Sequence, residues 1–274
     1  MKTFTMCATL MALLIGSPAV ARDPDGVVHH ESAPSSLNAD KAYIHFDSSR
    51  AKSGMMKITH VFMRIPEQTE IDEFLAAKRA AYEKELPKLR RKAKGGEVPS
   101  FEQFPFEWDK AENVFAVDMG ASIDKTDSFL IEVPEGTYVL YGIAVGSRAL
   151  TTCNCLGTVK FDARAGVVTQ LGSLFADKSH KASDVPHIED GLGEKMFQYG
   201  FVLSQALVPA TEASSIPQSM AHLPARIASF EPVPMFREPR AQAVNRLAPI
   251  PGVLEYDRGQ VIVARDRASG ETAN

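Results

Sequence analysis

Two cysteines one residue apart, Cys153-Asn154-Cys155, are the sharpest chemical feature of the sequence. A thiolate is a nucleophile, a soft-metal ligand and half of a disulfide, so the pair opens three chemistries. As a disulfide it closes a very small loop. Bridged cysteines normally have Cα atoms about 4.4–6.8 Å apart, and an extended tripeptide reaches the upper edge of that range, so an internal bridge requires a bent loop. As free or intermolecularly paired thiols the two residues would serve redox exchange. As a soft-metal site they would take Cu(I) or Zn²⁺, with two further ligands needed for a closed tetrahedron. The third cysteine, Cys7, lies in an N-terminal apolar run.

The other polar residues match no established catalytic pattern. His29-His30-Glu31 near the N-terminus is either a solvated tail or a weak Cu²⁺/Ni²⁺ binder. His60 sits in an alternating apolar run and reads as a hydrogen-bonded core histidine rather than a ligand. Asp118, Asp124 and Asp127 lack EF-hand spacing, and His180, Asp184, His187, Glu189 and Asp190 fit no metal motif. Ser49-Arg-Ala-Lys52 fits S-x-x-K but lacks its companion elements, and there is neither a G-x-S-x-G elbow nor a glycine-rich phosphate loop. No catalytic residue is assigned; a hydrolase assembled from scattered residues is the weakest reading.

Two further clusters suggest contacts. Lys84, Lys88, Arg90, Arg91, Lys92 and Lys94 crowd the end of a helical stretch. Cations suit the negative pole of a helix, so a solvated basic end explains them. The functional alternative, on Lys88, Arg90, Arg91, Lys92 and Lys94, is contact with anionic lipid headgroups or another polyanion. Phe101, Phe104, Phe106 and Trp108 either close one end of a core or form a stacking surface, for instance for sugars.

The elements that must position these residues read mainly as strands. Phe129 to Gly172 reads as three strands joined by turns at Pro134-Glu-Gly136 and Ala165-Gly166. Thr158–Asp162 alternates strictly, and Thr137–Val145 is apolar on both faces, as a central strand would be. Ala42–Phe46, Met55–Ile65, Val114–Met119 and Phe197–Val208 add further strands. Thr69–Lys94 is the one helix, with Thr69 as its cap, Asp72 at the third position, and a kink or end expected at Pro87. From Leu207 to Pro251 prolines are too frequent for regular sheet or helix. The interspersed Leu223, Ile227, Phe230, Val233, Phe236 and Leu247 predict that this stretch wraps the domain, followed by a terminal hairpin around Asp257-Arg-Gly259.

The N-terminus carries a compartment signal. Lys2, the apolar run Met6–Ile15 and Ala19-Val-Ala21 make a secretory signal peptide cleaved after Ala21. The run is about half of what a membrane span needs, and no later stretch qualifies, so the mature chain is expected in the periplasm or outside the cell with no transmembrane segment. With 274 residues, 45% of them hydrophobic, the chain can bury a sizeable core, and a net charge of −4 argues against nucleic acid as a partner.

The hairpin Pro134-Glu-Gly-Thr-Tyr138-Val-Leu140 resembles the turn-and-strand motif of prealbumin-like and collagen-adhesin B-type sandwich modules. A wider resemblance, over Ala42–Phe46, Cys155–Phe161, Ala165–Gly172 and Leu247–Gly252, is to an uncharacterised group of exported proteobacterial β-sandwich proteins. It implies fold and compartment and carries no activity. The expected architecture is an antiparallel β-sandwich of prealbumin or immunoglobulin type over residues 40–206. It would have a loose arm over 22–39, one inserted helix at about 69–94, and a proline-rich wrap over 207–274. The expected role is a non-enzymatic binding or structural module of the cell envelope, with an envelope component or another protein as partner. The alternatives are a thiol-redox or soft-metal protein acting through Cys153 and Cys155, and the hydrolase.

Overall fold

The computed structural model describes residues 28–30, 33–50, 58–94, 96–108, 113–118, 127–145, 150–177, 204–212, 217–236, 243–257 and 260–262. The expected signal peptide with its expected cleavage after Ala21, the 178–195 loop, and residues 197–203 of an expected strand lie outside them. The chain forms two compact units, one containing Pro66–Asn113 and one made of Asp23–Ile65 and Val114–Asn274.

The larger unit is a β-sandwich. Its first sheet contains β1 (Val28–His30), β2 (Ala42–Arg50), β5 (Asp127–Val133), β9 (Val168–Asp177), β10 (Ser204–Pro209) and β11 (Ala225–Ile227). They run in the order β1-β5-β2-β9-β10, with β11 also on β9. The second sheet contains β3 (Ile58–Ile65), β4 (Val114–Asp118), β6 (Gly136–Val145), β7 (Leu150–Cys153), β8 (Thr158–Ala163), β12 (Glu231–Val233) and β13 (Ala243–Val244). Its order is β12-β8-β6-β3-β4, with β7 on β6 and β13 on β7. Most pairs are antiparallel; β2–β9, β11–β9 and β13–β7 are parallel. β14 (Tyr256–Asp257) and β15 (Gln260–Val261) form the small hairpin expected near the end of the chain.

Alternation decides which side chains fill the sandwich. On β2, Ala42, Ile44 and Phe46 face the core, where they meet Phe62, Phe115, Tyr138, Leu140, Val159, Phe161 and Leu171. Each large side chain buried this fully stabilises the fold by roughly 1.5–3 kcal/mol. Tyr43 faces the other way, into a smaller cluster with Leu130, Val168, Met220 and Leu223. The Pro134 turn is tied down by its own strand, because the Tyr138 hydroxyl donates to the Pro134 carbonyl at 2.7 Å.

The structure departs from the sequence reading in four places. Val28–His30, expected in a loose arm, forms β1 on the edge of β5, where its amides and carbonyls satisfy an open ladder. The sandwich is not purely antiparallel, because β2 and β9 run side by side as a parallel pair. The proline-rich segment, expected to hold no regular sheet, contributes three short strands, β11, β12 and β13. Each pairs at a sheet edge, where a proline such as Pro232, opposite Val159, costs no essential ladder bond. The fourth departure concerns the helix.

That helix, α1 (Gln68–Ala93), belongs to the smaller unit. Its N-cap is Glu67, two residues before the expected Thr69, and the Glu67 amide donates to the Glu70 carboxylate at 2.8 Å in the manner of a capping box. Pro87 lies inside α1 without ending it. Pro87 and Glu83, whose carbonyl loses its partner, are both exposed, so water can take the place of the missing donor. The chain then returns antiparallel along one face of α1. The Tyr82 hydroxyl donates to the Pro99 carbonyl at 3.0 Å, and Lys78 Nζ to the Glu102 carbonyl at 3.2 Å. Further along, Phe74 packs against Phe106 and Trp108, each with ring centroids 5.6 Å away. The aromatic cluster thus closes the small core of this unit.

Candidate functional site

β7 and β8 lie along one edge of β6, the other edge being occupied by β3. Gly142 pairs with Cys153 and Val139 with Lys160, so three steps on β6 face seven on its partner and four residues, Asn154–Gly157, are looped out. This excursion holds the Cys-x-Cys motif. β7 passes β6 so closely at Gly142 that a Cβ there would collide with the Thr152 carbonyl, and Gly142 has a φ of +155°.

Cys153 and Cys155 are bonded as a disulfide across a Cα–Cα distance of 5.1 Å, which supplies the bent loop that an internal bridge requires. Both cysteines are 0% exposed. Backbone partners seal the loop on every side. The Asn245 amide donates to the Cys153 carbonyl at 2.8 Å, Phe236 to Cys155 at 2.9 Å, and Leu247 to Gly157 at 2.9 Å. Asn245 in turn accepts from Leu156 at 3.0 Å, and Asn154 donates to Tyr141 at 2.6 Å. The proline-rich C-terminal segment is therefore hydrogen-bonded along the backbone of the cysteine loop. Among the described residues no group of three or more His, Cys, Asp or Glu side chains is placed to hold a metal ion.

Behind the loop lies a cluster that the sequence reading did not assemble. The Asn154 side-chain nitrogen donates to the Leu140 carbonyl at 3.2 Å and to Gln205 Oε1 at 2.9 Å. Gln205 Nε2 lies 2.7 Å from His60 Nδ1, and His60 Nε2 lies 2.8 Å from Ser48 Oγ. Ser48 and Gln205 come from the first sheet, His60 from the second, and Asn154 from the loop between β7 and β8, so the chain of bonds stitches the two sheets through the core. All four residues are buried.

The partners assign the protons. The Leu140 carbonyl can only accept, which fixes the Asn154 amide with its nitrogen toward it. Asn154 then donates to Gln205 Oε1, leaving Gln205 Nε2 to donate to His60 Nδ1. The imidazole proton therefore sits on Nε2 and is given to Ser48, so His60 has no lone pair aimed at that hydroxyl. A general base would need the opposite tautomer. Complete burial pushes the His60 pKa down from its usual range to about 3, which keeps the ring neutral.

A second Ser–His contact lies on the opposite face of β2. His45 Nε2 is 2.9 Å from Ser128 Oγ, with Asp47 on the same face of β2 and directly opposite Ser128 in the ladder. Ser128 is exposed while His45 is buried. Burial lowers the His45 pKa, and the negative charge of Asp47 opposes that shift.

The basic residues singled out from the sequence, Lys88, Arg90, Arg91, Lys92 and Lys94, are all exposed on the last turns of α1 and at its C-cap. Lys88 pairs with Glu85 at 2.8 Å. His29 and His30 lie in β1, paired with Ile131 and Leu130. Comparison with protein-family models, with curated proteins and with solved structures found nothing that matches this chain.

Proposed function

We propose that this chain is an exported, non-enzymatic β-sandwich module of the bacterial cell envelope, periplasmic or secreted, with a binding or structural role. The observation that carries this reading is the sealed state of Cys153-Asn154-Cys155. Reactive cysteines sit in accessible, electropositive surroundings, whereas both cysteines here are fully buried and the C-terminal segment is hydrogen-bonded to their carbonyls. Asn154 spends its side chain on the clasp between the sheets. The loop thus works as a staple that lets the chain step out of the β6 ladder without stranding the Leu140 carbonyl. A mainly-β module with a signal peptide and a cysteine pair kept for folding suits an oxidising compartment. The test is intact mass and thiol alkylation of the protein recovered from its exported location. A chain beginning at Arg22, two protons light and alkylated only after denaturation and reduction, is the expected result. Readily alkylated thiols or a copper or zinc ion released on denaturation would transfer the function to the cysteine loop.

One observation favours a second reading as a hydrolase. Ser128 is the exposed member of a Ser–His pair, and burial lowers the pKa of its histidine. A fluorophosphonate probe that labels wild type and fails on Ser128→Ala would support it; absence of labelling on both removes it.

A further inference from the structure

We propose that the basic end of α1 is an adhesion surface for anionic lipid headgroups. The inference goes beyond the sandwich reading and does not depend on it. α1 lies in an insertion between two paired strands, since β3 and β4 form an antiparallel pair with Met63 opposite Val114. Hairpins usually close in two to five residues, and insertions as long as 66–113 are usually functional or linker segments. This one builds its own core instead. Phe101, Phe104, Phe106 and Trp108 cover one face of α1, with Phe101 held under Lys78 and Arg79 at 5.1 and 4.9 Å. The face turned away from that segment has Glu73, Ala76, Ala80, Lys84, Lys88 and Arg91 exposed.

Along the helix as a whole the charge changes sign between its first turns and its last. The first half carries Glu70, Asp72 and Glu73, whereas from Lys84 to Lys94 six cations meet only Glu85. At 100° per residue, Lys84, Lys88 and Arg91 fall within about 60° of arc, and Lys92 and Lys94 flank Lys84 by about 80° on either side. The cluster runs about 15 Å along the axis. The helix dipole accounts for cations in the last turn only, and Lys84 and Lys88 lie beyond its reach. Lys94 adds an independent sign. It is the only described non-glycine residue with positive φ (46°), in the left-handed C-cap position that glycine fills without strain, and glycines stand next in the sequence. A cation stands there at a backbone cost.

The chemistry of the cluster favours a lipid surface over other polyanions. Four of the six residues are lysines, which are mobile point charges without the planar fork that reads one fixed phosphate or carboxylate. Such an array suits headgroups that move laterally. The net charge of the whole chain is −4, so outside this tip the protein is more acidic still, and a long nucleic acid would meet repulsion beyond it. A lysine-rich array of this kind makes a peripheral, electrostatic contact.

The experiment is flotation of the full chain with vesicles of phosphatidylcholine alone or with about one third phosphatidylglycerol. Binding to the anionic vesicles only, lost in about 0.5 M salt, is expected. The variant Lys84→Gln/Lys88→Gln/Arg91→Gln should bind about a hundredfold more weakly. Lys160→Gln, on β8, should bind as wild type. Circular dichroism checks that the triple variant keeps α1. Equal binding to both vesicle types, a triple variant that binds undiminished, or tighter binding to single-stranded DNA than to the anionic vesicles would each overturn the proposal.

Discussion

Strand β2 carries a Ser–His contact on each face. Toward the core, Ser48 meets His60; on the opposite face, His45 meets Ser128. The distances, 2.8 and 2.9 Å, are nearly the same. What differs is everything around them. His60 is enclosed and bound at both nitrogens, so its tautomer is dictated by the Leu140 carbonyl, three bonds away along the network through Gln205 and Asn154. His45 has a partner that water reaches, and the charge of Asp47 is nearby. The difference teaches that a Ser–His distance alone says nothing about catalysis. The proton map and the access decide.

The largest expected effect comes from taking His60 out of the enclosed pair. Its folded pKa of about 3 lies below the unfolded value of 6.5, so on acidification the unfolded chain takes up the proton first. The contribution of His60 to stability is therefore complete above pH 6.5 and is lost as the pH falls toward 3, at up to about 1.4 kcal/mol per pH unit. By pH 4 about 3 kcal/mol should have gone. Urea midpoints from pH 7 to pH 4 for wild type and His60→Gln check this, because the variant should lack the histidine part of the slope. His45→Gln should remove much less of it, since Asp47 offsets the burial. Equal slopes for the two variants would erase the distinction drawn between the pairs.

Asn154→Ala should come next. It strips the Leu140 carbonyl and Gln205 Oε1 of a buried donor, an expected loss of about 2–3 kcal/mol. The Leu140 carbonyl keeps the Thr158 hydroxyl at 2.7 Å, which caps the damage. Cys153→Ser/Cys155→Ser should cost less. Closing a loop of about three residues stabilises by only about 1.6 kcal/mol in the chain-entropy picture. Thermal melts would rank the two, and a cysteine variant worse than Asn154→Ala would mean that the disulfide, rather than the clasp, holds the excursion in place.

The sequence announced parts of this architecture and withheld others for physical reasons. The alternation in Ala42–Phe46 and Met55–Ile65 is local, and so is the helical pattern of α1; both are visible in a short window. His60 as a hydrogen-bonded core residue followed from its phase with Ile58 and Phe62. Its partners did not, because Ser48, Gln205 and Asn154 are brought together by sheet packing across separations of up to 145 residues. A signal was nevertheless present. Ser48, His60 and Gln205 each occupy a core-phase position, in step with Phe46, Phe62 and Leu207 respectively, and buried polar residues in phase with the core must find one another. In the sequence Asn154 is simply the residue between two cysteines, and only the register of β7 and β8 against β6 reveals it as the residue that bridges the gap. The strands β11–β13 were hidden by their shortness and by the prolines around them; only β12 contains one, Pro232, whose tolerance at a sheet edge depends on which edge is open.

The smallest stability effect carries the most functional weight. Ser128→Ala removes an exposed hydroxyl, and water can take over its bond to His45, so the change should stay within about 0.5 kcal/mol. Ser48→Ala offers no such substitute, because no water reaches the enclosed imidazole, and it should cost about 1–3 kcal/mol. A near-neutral Ser128→Ala is what allows its activity to be read cleanly. If ester turnover by the wild type disappears in a variant that melts at the same temperature, the exposed pair is catalytic and the protein is a hydrolase. If wild type and variant are equally inert toward a broad ester panel, His45 and Ser128 form a surface hydrogen bond. The two faces of β2 would then differ in solvation alone, and neither in chemistry.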